Sequence, residues 1–164
     1  MSISVVVSRS SDGDSRKTAV ENELAKLCSF AGMDVVITPH LYHVSEVSDV
    51  WNALSALQGE SVFVCWLHPR PAELLLNLHG IGSKVLDLGT FSTAVDCRAA
   101  ISDSIFTSGN GPTTGGKITE IDEPISQRWY PVLDTSRCTN CGHCLQFCLF
   151  DVYGCGADGG LTVM

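Results

Sequence analysis

The sequence is short of positive charge and of long apolar runs. Ten Lys and Arg residues stand against eighteen Asp and Glu, which gives a formal net charge of −8. Nucleic acids and anionic membranes both call for a basic face, so this balance argues against either as a main partner. No apolar stretch approaches the roughly 20 residues that span a bilayer. The start, MSISVVVSRSSDG, has no basic segment before its apolar run. We therefore expect a cytoplasmic protein without an export signal or a membrane anchor.

Cysteine, by contrast, is plentiful, with eight residues in the chain. In a reducing cytosol, clustered cysteines are metal ligands or catalysts more often than structural disulfides. Four of them lie in CTNCGHCLQFC, residues 138–148. Cys28, Cys65 and Cys97 fall inside predicted helices and strands, where we expect them to pack as small hydrophobic residues.

The first 101 residues predict an α/β domain with a parallel sheet and flanking helices, because apolar strand patterns alternate with helical ones. Strands are predicted at 3–7, 34–38, 61–67 and 84–88, and helices at 15–32, 47–57, 71–80 and 92–101. The run at 61–67, SVFVCWL, is apolar almost throughout, as is typical of a strand that is covered on both faces.

The rest of the chain predicts a connector and a small second module. Residues 102–125 include SGNGPTTGGK, whose composition indicates a flexible linker. Residues 126–164 predict a small α+β module, with strands at 129–133 and 161–163, a helix at 146–152 and a turn at 157–160. A module of this size buries too little apolar surface to be stable alone, so it needs a metal or a neighbour.

The cysteine run has the spacing Cys138-x2-Cys141-x2-Cys144-x3-Cys148. A loop that turns every three residues can deliver successive sulfurs to the corners of an iron–sulfur cubane. RCTNCGHCLQFC resembles the first half-motif of the bacterial [4Fe–4S] ferredoxins. The resemblance implies a ferredoxin-like module that transfers electrons, with Cys138, Cys141 and Cys144 as ligands of one cluster and Cys148 as a ligand of a second. It also implies a redox partner protein, for which the acidic chain favours a basic docking surface.

Two positions depart from the ferredoxin pattern. Leu149 stands where family members usually have proline, and no second four-cysteine run follows. Either the module is incomplete, as a piece of a longer two-cluster protein, or the fourth ligand of the cluster comes from elsewhere in the chain. Cys155 is then the nearest substitute, with Cys148 close behind. Without a second run, we expect the chain to hold its cluster weakly or to be isolated without one, with Cys138, Cys141 and Cys144 still clustered in space.

The cysteine run is also compatible with other functions. Four of these sulfurs would satisfy zinc, although structural zinc sites usually split their ligands into two separated pairs. Cys141-Gly-His-Cys144 is also spelled like a redox dithiol, which needs a thioredoxin-like strand before it. The chain reads more as an electron carrier than as a stand-alone enzyme. A redox enzyme whose N-terminal domain binds a small ligand or metal is an alternative, as is a cluster with a purely structural or sensing role.

Ligands of doubly wound sheets gather at the carboxyl ends of the strands. In this sequence those ends carry His40, His43 and His68, which suggest a site for a metal or an anionic ligand. The layout has a faint resemblance to the tetrapyrrole metal chelatases, which place a metal-binding histidine after a strand. After the first strand, where that family has histidine, this chain has Ser8 and Arg9.

Overall fold

The computed structural model describes residues 3–105, 115–123, 131–149, 152–157 and 159–163. The chain divides into two compact units, residues 1–127 and 128–164. The elements of the first unit are β1 (Ile3–Ser8), α1 (Ser15–Phe30), β2 (Asp34–Thr38), a 3₁₀ turn (Leu41–His43), α2 (Asp49–Ser55), β3 (Glu60–Cys65), α3 (Pro69–Leu78), β4 (Lys84–Asp87), a second 3₁₀ turn (Leu88–Thr90), α4 (Ala94–Ile105) and β5 (Ile118–Glu120).

These strands form one parallel sheet in the order β4-β3-β1-β2-β5, so the predicted α/β fold is confirmed. Side chains alternate across each strand and build a core on both faces. Val5 and Val7 of β1 pack in one core with α1 and α4, and Val6 packs in the other with α2 and α3. Strands β2 and β3 lie on opposite sides of β1 in the sheet, so the chain reverses its direction of winding after β2. The topological switch point therefore lies between β1 and β3.

The helices begin where side chains satisfy their free N–H groups. Asp14 caps α1 by accepting a hydrogen bond from the Arg16 N–H, and Ser48 caps α2 by accepting one from the Val50 N–H. Helix α3 begins at Pro69, two residues before the predicted start, because proline at the first helical position has no N–H to satisfy.

Part of the segment predicted as a flexible connector belongs to the sheet. Within residues 102–125, α4 continues to Ile105 and β5 pairs with β2, while residues 106–114 lie outside the described part of the chain. Gly116 donates to the Ser29 carbonyl at 2.8 Å, and a Cβ at this glycine would lie 1.9 Å from the Met33 carbonyl oxygen. Glycine is therefore required at position 116 because two backbone segments approach each other closely there, and not because the segment needs to be flexible.

The second unit contains a short helix, α5 (His143–Phe147), and a hairpin of β6 (Tyr153–Cys155) and β7 (Leu161–Val163). Strand β7 is where the sequence predicts it, but β6 was not predicted. In the predicted turn at 157–160 the Gly159 N–H donates to the Gly156 carbonyl at 2.9 Å, and residue 158 lies outside the described residues. The helix lies earlier than the predicted 146–152, since it begins after Gly142 and Cys148 is already extended, while residues 150 and 151 lie outside the described part of the chain. Of the predicted strand at 129–133, residues 129 and 130 lie outside the described residues, and 131–133 are not a strand.

Candidate metal centre

The four cysteines of the run lie on a loop and on the short helix α5 that follows it. Cys138 follows a turn, Cys144 is in the first turn of α5, and Cys148 is the residue that ends the helix. Asn140 precedes Cys141 with φ 53°, and Gly142 follows it with φ 73°. Both lie in the left-handed region, which favours glycine and tolerates asparagine. Two left-handed residues in three positions bend the backbone between successive cysteines.

The thiols of the second unit are free and accessible. Cys138 and Cys148 are half-buried, and Cys141, Cys144 and Cys155 are exposed. Hydrogen bonding from the His143 backbone, and then from the Thr139 side chain, lowers the pKa of the Cys141 thiol below its ordinary value. The thiolate is the form that binds metals, so this loop favours the ligand state of Cys141.

The cysteines of the first unit are in the opposite situation. Cys28, Cys65 and Cys97 are fully buried, as predicted. Burial raises the pKa of Cys28 and of Cys97 to about 12, and that of Cys65 to about 11. A thiol that stays protonated in an apolar core is neither a ligand nor a nucleophile.

Asn140 connects the cysteine loop to the hairpin. Its Oδ1 accepts hydrogen bonds from the Cys138 thiol at 3.4 Å and from the Leu161 N–H at 3.3 Å. Leu161 is paired with Cys155 across the β6–β7 ladder. The chain therefore returns to the loop after α5, and Cys155 lies on the hairpin that contacts this loop.

The donors fit an iron–sulfur cluster in their chemistry. Five unpaired thiols lie on or near one loop, and a thiol of lowered pKa is among them. In the described residues, no three His, Cys, Asp or Glu side chains already converge as a metal-binding group. The expectation that Cys138, Cys141 and Cys144 are clustered in space is therefore not met. His143 is exposed, with its Nδ1 at 3.7 Å from the Cys141 sulfur.

At the carboxyl edge of the sheet, the structure brings together two of the three predicted histidines. The rings of His40 and His43 lie 4.9 Å apart between centroids. His68 is exposed and is the capping residue before α3. The loop after β1 is held close to the loop after β2, since the Ser8 hydroxyl donates to the Pro39 carbonyl and accepts from the Leu41 N–H.

The same edge holds a buried ion pair that the sequence pattern did not predict. Glu21 of α1 is completely buried, and its carboxylate accepts hydrogen bonds from Arg9 at 3.2 Å, from the Ser10 N–H at 2.7 Å and from the Trp66 indole at 2.8 Å. Arg9 also donates to Glu120 of β5. Burial is the largest single influence and would lower the pKa of Arg9, but hydrogen bonds and charge attraction to Glu120 and Glu21 together raise it. One signal was available, because Glu21 precedes the buried residues Leu24, Ala25 and Cys28 by three, four and seven positions, on the same face of the helix.

Comparisons with protein-family models, with curated proteins and with solved structures found no match to this chain. Among the described residues, no helix combines the length and the apolar character that crossing a membrane requires.

Proposed function

We propose that this chain is an iron–sulfur electron-transfer protein, with a [4Fe–4S] cluster bound by Cys138, Cys141 and Cys144 and by a fourth thiol, either Cys148 or its substitute Cys155. The observation that carries the proposal is the spacing of these cysteines along a loop, whose backbone turns at Asn140 and Gly142, and along the helix that follows it. The accessibility of the thiols and the lowered pKa of Cys141 support it. The cluster would supply one-electron chemistry, and the cysteine thiolates would hold it.

The partner and the compartment follow from the same proposal. A chain with a net charge of −8 docks best on a redox protein with a basic surface, in a cytosol that keeps its thiols reduced. The N-terminal unit would then serve recognition or regulation. A redox enzyme would turn over a small substrate at the N-terminal unit, whereas an electron carrier would not. Substrate-dependent turnover therefore distinguishes the two functions.

Reconstitution with iron and sulfide without oxygen tests the proposal. The wild-type chain should gain a broad visible absorption band that bleaches on reduction by dithionite, and Cys141→Ser should lose it. Cys65→Ser is the matched control, because the Cys65 thiol donates to the Leu67 carbonyl at 3.6 Å and a hydroxyl can do the same. Full retention of the band in Cys141→Ser refutes the proposed site. Stoichiometric zinc after expression without oxygen would favour a zinc site instead.

A structural role for the cluster is the second candidate, and one observation favours it. None of the described residues of the second unit is buried, and Phe147 and Leu149 are 79% and 90% exposed. A unit whose described residues form no core needs a metal or a neighbour for its stability. Reversible reduction at a low potential favours electron transfer. Loss of the hairpin's NMR signals on removal of the cluster, without reversible reduction, favours the structural role.

A further inference from the structure

Two polar atoms are buried without partners at the carboxyl end of β2. His40 is 7% exposed, and the Nδ1 atom of its side chain has no hydrogen-bond partner. Thr38, two residues earlier, is 1% exposed, and its Oγ1 has none either. Buried polar atoms almost always have partners in folded proteins. Two exceptions at the end of one strand therefore indicate a bound group.

The local backbone brings a second imidazole to His40. The chain makes a 3₁₀ turn at Leu41–His43, and the His43 N–H donates to the His40 carbonyl at 2.8 Å. Residues three apart in such a turn project to the same side. Accordingly, the two rings lie 4.9 Å apart and are tilted by 40°. His40 is buried and His43 is half-buried, so the pair runs from the interior towards solvent.

The unpartnered atom of His40 is one that binds metals. An imidazole that carries its proton on Nε2 offers the lone pair of Nδ1. A neutral imidazole is the commonest metal ligand among side chains.

We propose that His40 and His43 bind one divalent transition-metal ion, with Zn²⁺ as a suitable probe. Imidazole nitrogen suits zinc, copper and nickel. Water completes the coordination, since the described residues contain no group of three or more His, Cys, Asp and Glu ligands. The rival explanation is a buried water that bridges the two unpartnered atoms. This site lies in the first unit and does not depend on the iron–sulfur function.

The test must remove the thiols that compete for zinc. The starting protein for the titrations is a full-length variant in which serine replaces the five accessible cysteines, which are Cys138, Cys141, Cys144, Cys148 and Cys155. Calorimetric titration with Zn²⁺ should show one ion per chain. His43→Gln should weaken binding at least tenfold while circular dichroism stays unchanged. His68→Gln, which replaces the exposed histidine after β3, should leave binding unchanged.

Three results would overturn the proposal. A starting protein that takes up no Zn²⁺ supports the bridging water instead. Binding that is equally tight in His43→Gln removes the histidine pair as the site. Binding that falls by the same factor in His68→Gln shows that the ion is held elsewhere. His43 is the decisive position because it is half-buried, whereas replacement of the buried His40 tests folding as well as binding.

Discussion

Removing the charge of Glu21 should destabilise the N-terminal unit by about 2 kcal/mol. In Glu21→Gln the amide oxygen can still accept from the Ser10 N–H and the Trp66 indole, which both bond Oε1. The amide nitrogen then replaces Oε2 and faces the Arg9 guanidinium, donor against donor. Removing one partner of a buried ion pair costs about 3–5 kcal/mol. We discount this because the Arg9 side chain is 23% exposed and keeps its contact with Glu120.

Urea unfolding, followed by circular dichroism, measures this loss as a lower midpoint at an unchanged slope. Glu23→Gln, an exposed position in the same helix, is the control and should change stability by no more than about 0.5 kcal/mol. A double-mutant cycle with Arg9→Gln should give a coupling energy above about 1 kcal/mol. Equal midpoints for Glu21→Gln and Glu23→Gln would refute the claim that the ion pair holds this edge together.

Three further predictions concern other parts of the molecule. Gly116→Ala should detach β5, because the Cβ of the alanine would lie 1.9 Å from the Met33 carbonyl oxygen. Limited proteolysis should then cut the variant after Lys117. A variant that resists cleavage at this bond as well as the wild type does would contradict the prediction. Since burial lowers the pKa of His40 to about 4 from about 6.5, the unfolded state binds more protons between those values, and stability should fall as pH drops from 6.5 to 4, by roughly 2–3 kcal/mol. An equal slope in His40→Gln would count against this assignment. Iron analysis after reconstitution should show less iron in whichever of Cys148→Ser and Cys155→Ser removes the fourth ligand, and full iron in both would show that neither is needed.

The regular part of the fold could be predicted because its signals are local. Apolar runs marked four strands, and helical spacing marked the four long helices between and after them. Strand β5 could not be found in this way, since Ile118–Glu120 is three residues long and exposed throughout. Its place is set by long-range contacts, such as the Lys117 N–H donating to the Asp34 carboxylate at 2.9 Å.

The candidate sites show the same division between local and distant information. The spacing of the cysteines and the pairing of His40 with His43 are properties of short segments, and both are visible in the sequence. The burial of Glu21 and the return of the hairpin to Asn140 depend on residues that are far apart in the chain. The composition around Gly116 predicted a linker. The sequence does not distinguish a glycine that lets two backbones approach each other from a glycine that makes a segment flexible.

Strand β5 also has a consequence for aggregation. It covers the outer edge of β2, whose sequence is DVVIT, and it satisfies backbone groups of that strand, as when the Val35 N–H donates to the Lys117 carbonyl at 2.7 Å. An uncovered apolar edge invites pairing with another chain, whereas a short edge strand beside charged residues does not. Lys117 and Glu120 place such charges on the new edge. During synthesis on the ribosome, β2 emerges about 80 residues before β5. Until β5 has been made, the outer edge of β2 is unpaired and can pair with another chain.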